Sequence, residues 1–195
     1  MTLPLRSVGV IGAGQMGNGI AHVCALAGYD VVLHDISEDR LKAGLATING
    51  NMARQVSRGL IDEAKRVAAL GKISAAKDVS DIGQCDLVIE AATENEEVKK
   101  KILQGIVPLL KAETILATNT SSISITRLAA ATDRPERFIG IHFMNPVPVM
   151  QLVELIRGIA TEDPTYEVAK EFVTSLGKTV TMSEDFPAFI VNRIL

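Results

Sequence analysis

Two residues in the stretch GIHFMNPVPVMQLVE, residues 140–154, have side chains suited to moving a proton. His142 sits in one apolar run and Glu154 in the next, with Pro146 and Pro148 between them. A turn centred near Pro148 folds these runs into an antiparallel hairpin. Residues whose numbers sum to 296 then face each other, and His142 and Glu154 are such a pair. Facing Cβ atoms in a hairpin lie about 5 Å apart. A carboxylate at that distance orients an imidazole and stabilises its protonated form. A general base that accepts a proton from an alcohol needs that arrangement. The plain alternative is a core histidine satisfied by a neighbouring acid.

A second constellation supplies a reason for such chemistry. GAGQMG, residues 12–17, follows the apolar run SVGVIG and opens a stretch with helical spacing. Glycines spaced G-x-G-x-x-G at a strand-to-helix junction bind a dinucleotide. Gly12 permits the tight turn, Gly14 lets backbone approach a pyrophosphate, and Gly17 lets the helix pack close to the strand. The helix N-terminus then offers free N–H groups to the phosphates. Asp35 ends the next apolar run, about 20 residues on, where an acid accepts from the ribose hydroxyls. Its charge repels a 2′-phosphate, so NAD is expected rather than NADP; Arg40 nearby is a weak counter-signal. A third cluster, TNTSS at 118–122, follows another apolar run. One of these residues is expected to cap the helix after it. A hydroxyl or amide left over, such as Asn119 or Ser121, would face cofactor or substrate.

The elements that must position these groups alternate along the chain. Strands are expected at 7–12, 29–35, 72–78, 85–92, 114–120, 137–143, 150–156 and 178–185, most of them apolar runs. Helices are expected at 15–28, from Ser37 to about Leu70, and at 94–110, 124–132 and 163–177. The second should break at 57–62, where Gly59 ends one helix and Asp62 caps the next. This is an α/β, doubly wound, mostly parallel sheet of the Rossmann type, covered on both faces.

The 195 residues are 47% hydrophobic and carry a net charge of −3, so no basic footprint for nucleic acid is present. Lys99 to Lys101 form the one basic triplet, which on a helix reads as a solvated face. No run is apolar and long enough to span a membrane, no signal-peptide layout appears, and no cysteine–histidine cluster suggests a metal. Cys24 and Cys85 lie in apolar segments and read as buried thiols of a cytoplasmic protein.

GAGQMGNGIA, VIEAATENEEVKKKI, TNTSSI, GIHFMNPVPVMQLVEL and FIVNR, taken in order, resemble the 3-hydroxyacyl-CoA dehydrogenase family from about residue 5 onward. The resemblance implies a dinucleotide-binding domain over 1–187, with a helical arm at about 37–70. It also implies that 188–195 begin an all-helical domain that makes a homodimer and closes over an acyl-CoA, and that this chain is cut off there. It implies His142 as catalytic base, Glu154 as its partner, and Ser121 and Asn192 as contacts of the substrate oxygen. Cofactor contacts would be Gly12, Gly14, Met16, Gly17, Asp35, Ala92, Thr93, Glu94, Lys99, Asn119, Ser121 and Asn145. Arg54 and Arg58 would meet the CoA phosphates, although the arm matches poorly. Ala188 departs from the glycine usual there. The reaction implied is reversible NAD-dependent oxidation of an L-3-hydroxyacyl-CoA, short-chain by the likeness to 3-hydroxybutyryl-CoA dehydrogenases. The alternatives are a domain that binds NAD without turnover and a structural relative. A dehydrogenase of free hydroxy acids is disfavoured, because those enzymes typically use a lysine.

Overall fold

A computed structural model of the chain describes residues 5–185 and Phe189. Its strands are β1 (Ser7–Ile11), β2 (Asp30–His34), β3 (Ile73–Ala75), β4 (Leu87–Glu90), β5 (Ile115–Thr118), β6 (Phe138–Phe143), β7 (Leu152–Arg157) and β8 (Thr179–Glu184). The helices are α1 (Gln15–Leu26), α2 (Glu38–Ser57), α3 (Glu63–Leu70), α4 (Glu96–Ile106), α5 (Ile125–Ala129) and α6 (Asp163–Ser175). They form one sheet in the order β3-β2-β1-β4-β5-β6-β7-β8. β1 to β6 run parallel, β7 pairs antiparallel with β6, and β8 runs parallel to β7. The strand order reverses between β1 and β4, and in such sheets ligands bind above that reversal, at the carboxyl ends of the strands.

Both faces are covered, which is why the central strands read as unbroken apolar runs. Neighbouring residues of a strand enter opposite cores. Ile139 and Ile141 join the layer under α1, α2, α3 and α6, whereas Phe138 joins the layer under α4 and α5. The same two-residue period sends His142 and Glu154 toward the second layer.

The expected breaks in the helical arm are present. Gly59 follows α2 at φ +69°, a left-handed position that suits glycine. Asp62 then caps α3, its carboxylate accepting from Lys65 N at 2.7 Å. Ser37 caps α2 by accepting from Arg40 N. Among the elements not signalled by periodicity is a 3-10 turn at Val79–Gln84, closed by a capping box between Asp78 and Asp81. It is too short to show a helical repeat. Both cysteines are free and buried, and burial pushes the Cys85 thiol up to about 11. Among the described residues no helix is long and apolar enough to cross a membrane.

Candidate functional site

The hairpin register is the one expected from the numbering. His142 pairs with Glu154 across β6 and β7, although the connection contains a cis Asn145–Pro146 peptide. His142 Nδ1 and Glu154 Oε2 lie 2.7 Å apart. Glu154 is fully buried and His142 is 7% exposed. An ionised carboxylate only accepts, so Nδ1 carries the proton and Nε2 keeps its lone pair.

The connecting turn is held from two sides. Lys178, next to β8, donates from Nζ to Val147 O at 2.6 Å and Met150 O at 2.7 Å. Burial lowers the pKa of this ammonium. Val147 packs on α1 at Gly19, where an added Cβ would lie 2.9 Å from it. Asn145 is exposed in the same turn.

The glycine turn has the geometry a pyrophosphate needs. Gly12 has φ +99°, and a Cβ there would sit 2.7 Å from Ala91 O. A Cβ on Gly17 would fall 1.7 Å from Gly12 O, so the start of α1 touches the turn as only glycine allows. A Cβ on Gly14 would meet nothing within 4 Å. That open space lies at the N-cap of α1, which no side chain caps. Met16 packs partly buried against the first core layer. Asp35 accepts from Ala13 N at 2.8 Å and from Ser37 N at 2.9 Å, so it is locked against the turn. These features suit the pyrophosphate and ribose of NAD.

Three residues from the carboxyl edge of β4 and β5 form a network the sequence only partly signals. Glu90 ends β4 and is fully buried. It accepts from Lys99 Nζ at 2.9 Å on both oxygens, from Thr118 Oγ1 at 2.7 Å and from Ala92 N at 2.7 Å. Lys99 is 1% exposed, so the solvated-face reading of the lysine triplet is wrong for this residue. The helical repeat turns Lys99 inward while Lys101 remains exposed. Lys99 Nζ also lies 3.6 Å from Glu94. Sequence reasoning passed over Glu90, though a lone acid in the apolar run DLVIEAA was the same kind of signal as Glu154.

Glu94 gathers the next loop. Its Oε1 accepts from Thr120 Oγ1 at 2.6 Å, from Ser121 N at 2.8 Å and Oγ at 3.1 Å, and from Ser122 N at 3.2 Å and Oγ at 3.1 Å. Burial pushes the Glu94 pKa up, but these bonds and the Lys99 charge outweigh it and hold the pKa below the usual carboxylate value. Asn119 Oδ1 accepts from Phe143 N at 2.9 Å, which fastens the start of this loop to the end of β6 beside His142. Thr93 is exposed and Ala92 half-buried in the segment between β4 and α4. None of residues 118–122 caps the helix after them, contrary to expectation: Ser124 does, accepting from Arg127 N at the start of α5, because that helix begins only at Ile125, beyond the cluster.

Arg54 and Arg58 stand exposed at the end of α2. Arg54 bonds the neighbouring Asn51 side chain, and among the described residues no hydrogen bond or ion pair joins either arginine to the His142 pair. Asn192 and Ala188 lie outside the described residues.

Residues 7–186 match the family model described as "3-hydroxyacyl-CoA dehydrogenase, NAD binding domain". A 3-hydroxybutyryl-CoA dehydrogenase of Bradyrhizobium diazoefficiens is 68% identical over all of this chain and 67% of its own length. A probable 3-hydroxybutyryl-CoA dehydrogenase of Deinococcus radiodurans is 48% identical over 96% of this chain and 67% of its own. The crystal structure of (S)-3-hydroxybutyryl-CoA dehydrogenase from Ralstonia eutropha superposes with a TM-score of 0.95 at 47% identity, covering 97% of this chain and 67% of that one.

Proposed function

The chain belongs to the 3-hydroxyacyl-CoA dehydrogenase family, and from that premise we propose that it is the catalytic dinucleotide domain of an NAD-dependent oxidoreductase acting reversibly on short-chain L-3-hydroxyacyl-CoA. The observation that carries the reading is the buried His142–Glu154 pair on the hairpin that packs against the dinucleotide helix. NAD, when bound, supplies the hydride acceptor.

The residues supply the rest. His142 Nε2 takes the proton of the 3-hydroxyl as C3 becomes a carbonyl, and it returns that proton in the reverse direction. Glu154 holds the imidazole by Nδ1 and offsets its new charge. Ser121 sits on the loop fixed by Glu94 and Asn119, where its hydroxyl contacts the substrate 3-oxygen. Asn192 adds a second contact there. Gly12, Gly14 and Gly17 make room for the pyrophosphate, and Asp35 takes the adenosine ribose. Arg54 and Arg58 on the arm meet the CoA phosphates. The following helical domain, a homodimer made through it and a cytoplasmic location belong to the same proposal. Light scattering on the natural full-length protein checks the dimer.

The test combines calorimetry with NAD and an NADH-oxidation assay with acetoacetyl-CoA on the natural full-length protein. His142→Ala should keep NAD affinity and lose about 10² to 10⁴ in kcat, the usual worth of a placed base. Near-normal turnover in that variant sinks the assignment. NAD binding without any wild-type turnover would instead support a binding or structural role.

A further inference from the structure

The second core layer contains an aromatic ring that the proposed reaction does not use. Phe189 is 2% exposed and packs in the layer under α4 and α5 with Ile123, Ile125 and Ile156. Its ring centroid lies 6.1 Å from that of His142, with the planes tilted by 58°. That spacing and tilt lie within the favourable range for paired rings. Its backbone stands at φ 48°, a left-handed conformation that a bulky residue adopts only where its surroundings impose it.

Four residues earlier the chain is fastened to the substrate side. Asp185 follows β8 directly. It accepts from Ser124 Oγ at 2.7 Å, from Ile125 N at 2.8 Å and from Thr126 N at 2.8 Å. Burial raises its pKa, but the bonds from Thr126, Ser124 and Ile125 outweigh that, so it stays a charged acceptor. These donors begin α5, just past the Ser121 loop. Asp185 therefore grips the start of α5, and Phe189 stands beside the imidazole.

We infer that Phe189 is a positioning residue for His142: its ring, placed by the Asp185 anchor, holds the imidazole against Glu154 and keeps water from its open face. The inference rests on the role proposed for His142. Glu154 fixes the imidazole at one nitrogen only, which leaves rotation about that bond to be limited by packing. Phe189 supplies a ring beside His142, which is itself only 7% exposed. A loose imidazole loses alignment with the substrate oxygen, and small misplacements of reacting groups are costly in rate.

The experiment uses the natural full-length protein as wild type, Phe189→Ala, Phe189→Leu, Asp185→Asn and His142→Ala. Three quantities are read: steady-state NADH oxidation with acetoacetyl-CoA, the rate of His142 carbethoxylation by diethyl pyrocarbonate, mapped by mass spectrometry, and the melting temperature. Phe189→Ala should lower kcat about tenfold with the KM for NADH unchanged, and His142 should be modified faster. Phe189→Leu should restore most of both, and Asp185→Asn should move both in the same direction by less. The inference is overturned if kcat and His142 modification stay at wild-type values. It is equally overturned if turnover falls only in step with melting temperature. Where Phe189→Ala does not fold, the leucine and asparagine variants decide by the same criteria. A His142→Ala variant that still turns over sinks the base assignment instead, whatever Phe189 does.

Discussion

Two buried polar pairs stand near the carboxyl edge of the sheet, and they are built to opposite ends. His142 and Glu154 meet across an antiparallel hairpin, and one imidazole nitrogen keeps its lone pair for a ligand. Glu90 and Lys99 meet between a strand and the helix after it, and Glu90 accepts from Lys99 on both oxygens and from Ala92 N and Thr118 Oγ1 besides. The first pair leaves one ring nitrogen outside the carboxylate bond. The second saturates its charges, which suits holding loops in place. Burial alone therefore does not distinguish the two pairs; how far the partners saturate one another does.

The comparison can be broken at its strongest point first. His142→Ala should cost turnover by the two to four orders of magnitude given above, far more than the stability lost by leaving buried Glu154 without its imidazole partner can account for, as read by kinetics beside thermal denaturation. Lys99→Met should do the reverse in kind. It strands a buried carboxylate, and losing one partner of a buried pair costs about 3–5 kcal/mol of stability. Denaturant titration reads the loss, and the double variant Glu90→Gln, Lys99→Met should recover much of it. If Lys99→Met left stability intact, the second pair would not be structural.

Glu94→Gln sharpens the contrast more gently. It weakens the bonds that gather residues 120–122, at a cost of about 1–2 kcal/mol, and should raise the KM for the acyl-CoA more than that for NADH. Because the folded Glu94 pKa is depressed, its contribution is present above the unfolded value and is lost as pH falls through the folded one. Wild type and Glu94→Gln should therefore converge in stability in acid.

The smallest effect belongs to a carboxylate outside both pairs. Asp86 accepts from Arg6 N, Ser7 N, Ser7 Oγ and Lys111 Nζ at the amino edge. Burial raises its pKa, but these partners outweigh that and lower it from 3.8 to about 2. Its stabilisation should be full above pH 3.8 and disappear toward pH 2. Asp86→Asn should remove about 1 kcal/mol at neutral pH, after solvent screening, and nothing below that window. Urea melts at pH 7, 3 and 2 give the comparison.

Much of this was legible in the chain before folding was considered. Apolar runs and helical spacing placed the strands and helices, most ends within a residue or two, though β3 and α5 end three residues earlier than expected and α4 four. Asp62 and Ser37 capped where their types predicted, because a cap depends on backbone groups two or three residues away. The glycine turn was readable for the same reason: Gly12 and Gly17 answer to contacts within or beside one tight turn. The hairpin register followed because a short turn and the two-residue strand period leave few ways to bury both runs.

What the sequence could not determine was which distant groups would meet. Lys99 looked like part of a solvated triplet, and only the packing of α4 against β4 turned it onto Glu90. The bonds from Thr120, Ser121 and Ser122 to Glu94 span 26–28 residues, and those from Asp185 to the start of α5 span 59–61. Local order arises from steric and hydrogen-bonding rules that act within a few residues. Partners brought together by sheet order and layer packing have no such local signature, so tertiary structure alone decided how the candidate base is held and what surrounds it.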